Sequence, residues 1–447
     1  MAAPSNTLRQ HVQVCVGKKG TLIGSLIYTR QGRRESTAFA YDASWLASPD
    51  GFNVSADLQW ISGHQPHKAA TAHDSPFHGA LADTAPDAWG RRVIARDHAK
   101  RRQKDPTLGA LTELDYLLAV DDSARVGALR LKGADGQWHR SVEPGRRWAR
   151  RARGRRGRAA GPGRARGAVS CRRTTPPLIA LERAFRASHA IERGDETDED
   201  LRYLQGRGTS LGGMRPKCTL VDENGRLAIG KFPSIGDTRS VTRGEVLALK
   251  LAQRAGIQVA ESRVVQLADI PVALIYRFDR QPDGGRIPYQ SAATMLQASR
   301  DDERSYLEIT EVIRRHALDP TADLQQLWRR LIFNLLITNV DDHLQNHGFL
   351  HATNGHWRLS PAFDINPFPD KDRESKVWLS EEDGPITNTR MLLARCREFA
   401  LTPEAAQKVL DEVRTAVAGW REVALSPEVG LTQKELRGFE GAFLPVV

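Results

Sequence analysis

The sequence of 447 residues predicts an α+β fold in which a strand-rich part precedes a helical part. Apolar and polar residues alternate over residues 11–41 around a turn at 18–20. A second alternation, over residues 216–232, has Asn224 and Gly225 at its centre. Both patterns are typical of β-hairpins. From Ser305 onward, apolar residues recur mostly with helical spacing, which indicates that the last third of the chain is built from helices.

The pattern between these landmarks predicts the remaining elements. Helices are expected over residues 83–102, 242–255 and 324–335, a short helix or buried run over 111–120, a strand over 126–131, and two strands over 263–278. Gly256 directly follows the second of these helices, where a glycine is a common stop signal.

The positive charge of the chain is concentrated in one segment. Between residues 146 and 173 there are twelve arginines and no acidic residue, and removing these twelve charges from the formal total of +11 leaves −1. Residues 144–175 are rich in Arg, Gly and Ala and lack periodicity, so we expect a disordered linker or insertion. The rest of the chain is nearly neutral, and its charge says little about partners.

Other bulk features favour a cytoplasmic protein. No apolar run approaches the ~18 residues of a membrane-spanning helix, and residues 1–10 lack the apolar core of a signal peptide. The four cysteines are far apart and form no Cys-x-x-Cys pair. This spacing predicts reduced thiols, with no zinc site and no disulfide framework.

Three oxygen-bearing side chains in the helical part suggest phosphoryl transfer. Asp341 is followed five residues later by Asn346, and Asp364 comes after a short strand-like run. In a kinase, one carboxylate orients the hydroxyl nucleophile, while an amide oxygen and a second carboxylate hold Mg²⁺ against the nucleotide phosphates. We therefore predict Asp341 as the catalytic residue and Asn346 and Asp364 as metal ligands. Asp342 is the alternative to Asp341.

The strand-rich part offers groups that could bind the nucleotide. Lys231 lies on the second strand of the Asn-Gly hairpin, where a rigid strand could direct its ammonium at phosphates. The preceding loop contains Gly212 and Gly213, whose backbone N–H groups could approach phosphates, and Lys217 adds a cation. Glu245 could pair with Lys231, or it could close a capping box with Thr242.

Strands before helices, with these groups in this order, predict a bilobal protein-kinase-like fold with a helical C-terminal lobe, behind a small β-rich N-terminal subdomain. The boundaries are 1–143 for the subdomain, 144–175 for the linker, 176–300 for the sheet lobe with its phosphate loop, and 301–447 for the helical lobe. Two other functions stay open. The chain could be a binding protein with a degenerate nucleotide site whose arginine tract contacts DNA, or a phosphotransferase acting on a small molecule.

The chain resembles the HipA-like serine/threonine kinases, the toxin halves of bacterial toxin–antitoxin pairs. Besides the catalytic residues, the segments 81–92, 125–130, 210–217, 230–234, 276–280, 339–346 and 361–367 carry this resemblance. The Arg-rich run departs from it, as does Met214, where a small residue is more usual.

The resemblance implies ATP and Mg²⁺ as cofactors and a protein hydroxyl as the acceptor, for example on an aminoacyl-tRNA synthetase or another translation component, whose phosphorylation would arrest growth. It also implies autophosphorylation of Ser210, the first residue of the phosphate loop. A HipB-like helix-turn-helix antitoxin is the expected partner, and it would connect the chain indirectly to operator DNA. For the adenine-contacting hinge, only the position of residues 288–292 offers a guess.

Overall fold

A computed structural model describes residues 7–71, 73–133, 136–139, 181–205, 213–299 and 302–444. The predictions for the Arg-rich run 144–175, for Ser210 and for Gly212 lie outside these residues.

The N-terminal subdomain is built on a five-stranded antiparallel sheet with the strand order β4-β3-β2-β1-β5. Its strands are β1 (Thr7–Val16), β2 (Thr21–Gln31), β3 (Arg34–Tyr41), β4 (Gln65–Lys68) and β5 (Leu129–Lys132), and its helices are α1 (Ala43–Leu46), α2 (Gly79–Ala82), α3 (Ala88–Lys104) and α4 (Glu113–Ala119). The predicted opening hairpin is thus confirmed. The helix predicted over 83–102 is α3 and begins only at Ala88, because the Asp87 side chain accepts a hydrogen bond from the Gly90 N–H and caps the helix there.

The second sheet has four antiparallel strands in the order β6-β7-β9-β8. This sheet lobe contains α5 (Leu181–Arg193), α6 (Asp198–Leu204), β6 (Lys217–Val221), β7 (Leu227–Lys231), α7 (Val241–Arg254), β8 (Ser262–Leu267) and β9 (Ile270–Tyr276). One face of the sheet packs on α5 and α6 through Cys218, Leu220 and Ala228. The other face carries Lys231 and Ile229, which leaves these side chains for the cleft described below.

The helical lobe follows, with two small sheets inserted into it. Its elements are β10 (Tyr289–Ser291), α8 (Ala292–Met295), α9 (Tyr306–His316), α10 (Pro320–Leu336), β11 (Gly348–Thr353), β12 (His356–Leu359), β13 (Trp378–Ser380), β14 (Gly384–Pro385), α11 (Thr389–Ala394), α12 (Pro403–Ala418), α13 (Trp420–Leu425) and α14 (Gln433–Leu436). Residues 344–346, 396–399 and 440–443 form 3-10 turns. Ten residues of α10 are buried, as predicted for the helix that precedes the segment with Asp341.

Two segments of the N-terminal subdomain fasten it to the other lobes. The Asp83 carboxylate accepts hydrogen bonds from the backbone N–H and the hydroxyl of Ser291, at 2.7 and 2.8 Å. The Gly127 N–H donates to Asp279 at 2.7 Å, directly after β9. Both segments belong to the motifs singled out in the sequence, and their polar groups serve contacts between subdomains.

Among the described residues, no helix is both long and apolar enough to span a membrane. Cys15 and Cys396 are buried as free thiols, and Cys218 is buried as well.

Candidate active site

A cleft of about 520 Å³, counting its open mouth, lies between the sheet lobe and the helical lobe. Its lining residues are Val126, Ile229, Lys231, Glu245, Ile275, Tyr276, Arg277, Phe278, Asp279, Tyr289, Phe363 and Asp364. The wall is mostly apolar, with a charged group at Lys231. Small-molecule sites typically combine a mostly apolar wall with a few charged groups in this way.

Lys231 is the centre of the charged group. Its Nζ lies 2.6 Å from Asp364 Oδ1 and 2.7 Å from Glu245 Oε1. The structure therefore brings Lys231 and Asp364 together across 133 positions of sequence. With all three groups ionised, the cluster carries one negative charge in excess, which favours an additional cation.

The charges of this cluster depend on one another. Burial raises the pKa of Asp364, but the ammonium groups of Lys231 and Lys217 outweigh burial and lower it to about 2. Burial opposes the charged form of Lys231 as well, yet the Asp364 and Glu245 carboxylates raise its pKa above the ordinary value. For Glu245, burial prevails over Lys231 and the pKa is raised. The Lys231–Asp364 contact is thus an ion pair at neutral pH.

Glu245 pairs with Lys231 and does not cap its helix. The N-cap of α7 is Ser240, so Glu245 is the fifth helical residue and stands two positions beyond the one that a capping box requires. The Thr242 hydroxyl donates instead to the Pro271 carbonyl at 3.0 Å. Of the two roles that the sequence left open, the structure thus has the ion pair.

Backbone hydrogen bonds hold the segment that carries Asp364 against the sheet lobe. The Ala260 N–H donates to the Ala362 carbonyl, and the Ala362 N–H donates to the Gln258 carbonyl, both at 2.8 Å. Asp364 itself has a φ of +56°, a left-handed conformation that is uncommon for a residue other than glycine. Such backbone conformations cluster at functional sites.

The neighbouring carboxylates Asp341 and Asp342 lie in opposite environments. The Asp341 side chain is 60% exposed and meets the Lys376 ammonium at 3.1 Å. The Asp342 carboxylate is buried and accepts hydrogen bonds from Tyr306, Asn334 and His347 at 2.7 to 3.0 Å. An incoming hydroxyl could reach Asp341, whereas Asp342 holds the loop together.

The side-chain oxygen of Asn346 has the features of a ligand for a hard cation. Its side-chain N–H donates to the Asp341 carbonyl at 3.2 Å, which fixes the amide. Its Oδ1 is buried and has no hydrogen-bond partner among the described residues. A buried amide oxygen without a partner is costly, and Mg²⁺ favours such oxygen donors.

The predicted phosphate loop is described only from Gly213 onward. Gly213 has a φ of +94°, and a Cβ added there would lie 2.7 Å from Lys217 Nζ. The Lys217 side chain is 2% exposed and its Nζ lies 3.0 Å from the Asp87 carboxylate of the N-terminal subdomain. The nucleotide-binding roles of Ser210, Gly212, Gly213 and Lys217 remain predictions.

Several cleft residues were not predicted from the sequence. The segment 276–278 at the end of β9 lines the cleft, and Val126 reaches it from the N-terminal subdomain. The sequence offered residues 288–292 as a positional guess for the hinge. Of these, Tyr289 lines the cleft, but residues 289–291 form β10 and pair with β11. The only sequence signal for these cleft residues was that segments 125–130 and 276–280 resemble family motifs. No sequence signal pointed to Lys376, which pairs with Asp341.

Curated relatives match part of the chain. A Haemophilus influenzae protein named "Putative kinase" is 24% identical over 210 residues, which is 40% of this chain and 61% of that protein. The protein named "Putative kinase Y4dM" of Sinorhizobium fredii is 27% identical over 216 residues, 44% of this chain and 51% of that protein. The chain thus spans about half to three fifths of the length of these relatives.

A solved structure has the same fold over almost the whole length. It is the HipA chain in a Shewanella oneidensis MR-1 complex of HipA, HipB and operator DNA, with a TM-score of 0.62 and 15% identity, covering 97% of this chain and 95% of that one. The α+β kinase-like fold predicted from the sequence is thereby confirmed. The HipA N-terminal domain family matches residues 14–131 and the HipA-like C-terminal domain family matches residues 209–420. Together these matches show that the chain belongs to the HipA-like kinase family.

Proposed function

We propose that the protein is an ATP- and Mg²⁺-dependent serine/threonine protein kinase of the HipA toxin type. The observation that carries this proposal is the cluster of Lys231, Glu245 and Asp364 at the edge of an apolar cleft between two lobes. Phosphoryl transfer requires fixed charges at the phosphates, and this cluster supplies them beside a cleft.

The residues present fit both cofactors. Ile229, Ile275 and Phe278 offer apolar surface for an adenine ring. Asn346 Oδ1 and the Asp364 carboxylate would hold Mg²⁺, since the first lacks a partner and the second remains ionised down to a pKa of about 2. When bound, Mg²⁺ supplies neutralisation of the charge on the phosphate oxygens.

The protein's own side chains bind the phosphates, orient the acceptor and accept its proton. Lys231, fixed by its two carboxylates, presents an ammonium to the phosphates. Asp341 orients the acceptor hydroxyl and takes its proton. As the bond between the hydroxyl oxygen and the γ-phosphorus forms, the bond from that phosphorus to the bridging oxygen breaks, and ADP leaves. Asp342 keeps the loop in place through Tyr306, Asn334 and His347.

The substrate and partner of this proposal rest on the family. We expect a protein hydroxyl as acceptor, on a translation component such as an aminoacyl-tRNA synthetase, with autophosphorylation at Ser210 as a second reaction. The related Shewanella protein occurs in a complex with HipB and operator DNA. A HipB-like antitoxin that links this chain to DNA is therefore the partner we propose.

The test is transfer of ³²P from ATP by the purified protein, with Asp341→Ala and Asp364→Ala as variants. We expect both to abolish incorporation, because each removes a group that acts on the reacting atoms. Asp383→Ala is a matched control, since Asp383 pairs with Arg395 away from the cleft. Retained autophosphorylation in Asp341→Ala or Asp364→Ala would reject the assigned site. Mass spectrometry of Ser210, with and without ATP and Mg²⁺, tests the autophosphorylation site separately.

A further inference from the structure

The N-terminal subdomain contains a cluster of one carboxylate and two imidazoles, far in sequence from the kinase motifs. Asp57 lies between α1 and β4, His67 lies on β4, and His78 is the residue before α2. One ligand-type atom from each lies within 4.8 Å of the other two, which holds for no other grouping of three such residues in the described parts of the chain. His67 Nδ1 is 3.6 Å from Asp57 Oδ2.

His78 is the strongest sign that the cluster does more than pack. The residue is 2% exposed, and its Nδ1 is sealed from solvent with no hydrogen-bond partner among the described residues. Leaving a buried polar atom without a partner costs about 1–3 kcal/mol in general. A metal ion on this imidazole would remove that cost, because a ring nitrogen is a common ligand for zinc and related ions.

The carboxylate is oriented as the carboxylates of metal sites usually are. The Gly79 N–H donates to both oxygens of Asp57, at 3.2 and 3.1 Å, and the Ser55 hydroxyl donates to Oδ1. Such supporting hydrogen bonds fix the direction of a ligand before the ion arrives. His67 keeps 30% of its side chain exposed, which leaves an entry path.

We propose that Asp57, His67 and His78 bind a divalent transition-metal ion, with Zn²⁺ as the best-fitting one. Two imidazole nitrogens and one carboxylate oxygen are a donor set that zinc accepts, and three protein ligands leave a fourth position for water. Zinc–ligand distances of about 2.0–2.2 Å place neighbouring ligands about 3.4 Å apart. The 3.6 Å between His67 Nδ1 and Asp57 Oδ2 is close to this, and the ligand atoms of all three residues lie within 4.8 Å of one another. The sequence predicted no zinc site because its cysteines are far apart. The site proposed here contains no cysteine, so that argument does not bear on it.

The position of the site gives it a structural role at the junction between subdomain and kinase lobes. The Ala56 N–H donates to the Gln290 side chain at 3.1 Å, and the Ala56 carbonyl accepts from Gln297 at 3.2 Å. Gln290 is adjacent to Tyr289, which lines the cleft. An ion on Asp57 would therefore stabilise the loop that contacts this wall.

The experiment uses the full chain without a polyhistidine tag, in an Asp364→Asn background that removes the proposed magnesium ligand of the cleft. After treatment with a chelator, the protein is titrated with Co²⁺ while the visible absorption of the bound ion is recorded, and Zn²⁺ is then added as competitor. We expect one equivalent of Co²⁺ to saturate the signal and Zn²⁺ to displace it. His67→Ala should weaken binding at least tenfold, and His64→Ala, which changes an exposed histidine nearby, should leave it unchanged.

A folding defect is controlled by the choice of His67, which is partly exposed, and by circular dichroism of each variant. As a second measurement, Zn²⁺ should raise the unfolding temperature of the parent protein and of His64→Ala but not of His67→Ala. Equal Co²⁺ affinity in the His67→Ala and His64→Ala proteins, or no saturable binding in the parent, would overturn the proposal.

Discussion

Two lysines on neighbouring strands show how differently one sheet uses the same side chain. Lys217 on β6 and Lys231 on β7 are directly opposite each other in the antiparallel register, so their side chains share a face of the sheet. Lys231 meets Glu245 and Asp364 at the cleft and is 14% exposed. Lys217 meets Asp87, and both of those side chains are 2% exposed.

The difference comes from the elements that cover each end of this face. At Lys231, α7 and the segment after β12 each supply a carboxylate and leave a cleft between them. At Lys217, the start of α3 closes over the strand, and the Trp89 indole N–H donates to the Lys217 carbonyl at 3.1 Å. The first site therefore borders an open cleft, and the second joins the N-terminal subdomain to the sheet lobe.

The largest effect on stability is expected for Lys217→Met. The substitution leaves the Asp87 carboxylate in an enclosed position without this cation, which typically costs about 3–5 kcal/mol. Urea-induced unfolding measures the loss. Adding Asp87→Asn should recover much of it, because asparagine removes the charge while it can still cap α3.

The comparison would break if Lys217→Met unfolded like the parent protein and lost nucleotide affinity instead. Lys217 would then act on the nucleotide, as its place after the glycine loop suggests.

For Lys231→Met we expect a loss of activity more than a loss of stability. Removing one fixed charge from a phosphoryl-transfer site lowers the rate by about 10²–10³. The Asp364 side chain is 19% exposed, and Glu245, whose pKa burial already raises, can take up a proton, so the free energy of unfolding should fall by less than in Lys217→Met. Steady-state ³²P transfer and urea unfolding provide the two measurements, and Lys408→Met on the exposed face of α12 is the control. A fully active Lys231→Met protein that is less stable than Lys217→Met would reverse the roles of the two lysines.

Lys217 and Lys231 also show how much of the site could be predicted from the sequence. Lys231 and Asp364 were found because chemistry fixes their order along a kinase chain, and the hairpin and the buried helix α10 located them. The partner of Lys217 could not be found, since Asp87 lies 130 positions earlier in another subdomain and no local pattern joins the two. Glu245 stayed ambiguous because the choice depends on where α7 begins, and a shift of two residues in the helix start, which decides it, is within the usual uncertainty.

A smaller effect is expected for Gly213→Ala, which probes the surroundings of Lys217 from the loop. The φ of +94° disfavours alanine, and its Cβ would lie 2.7 Å from Lys217 Nζ. We expect a loss of about 1–2 kcal/mol in the free energy of unfolding. Gly236→Ala is the matched control, because its added Cβ would have no neighbour within 4 Å. Equal stability of the two variants would mean that Gly213 places no constraint on Lys217.

The smallest effect concerns the pH dependence of the Lys231 site. Asp364 has a pKa of about 2 in the folded protein, against 3.8 ordinarily. Its contribution to stability is therefore present in full well above pH 3.8 and is lost as the pH falls towards 2, because the unfolded chain then binds the proton more readily. Between pH 6 and pH 3 the loss attributable to Asp364 should be about 1 kcal/mol. Urea unfolding of the parent protein and of Asp364→Asn at several pH values measures it as a shrinking difference between the two. A difference that stayed constant over this range would mean that Lys231 does not hold Asp364 in its charged form, and the contrast with the enclosed pair at Lys217 would lose its electrostatic basis.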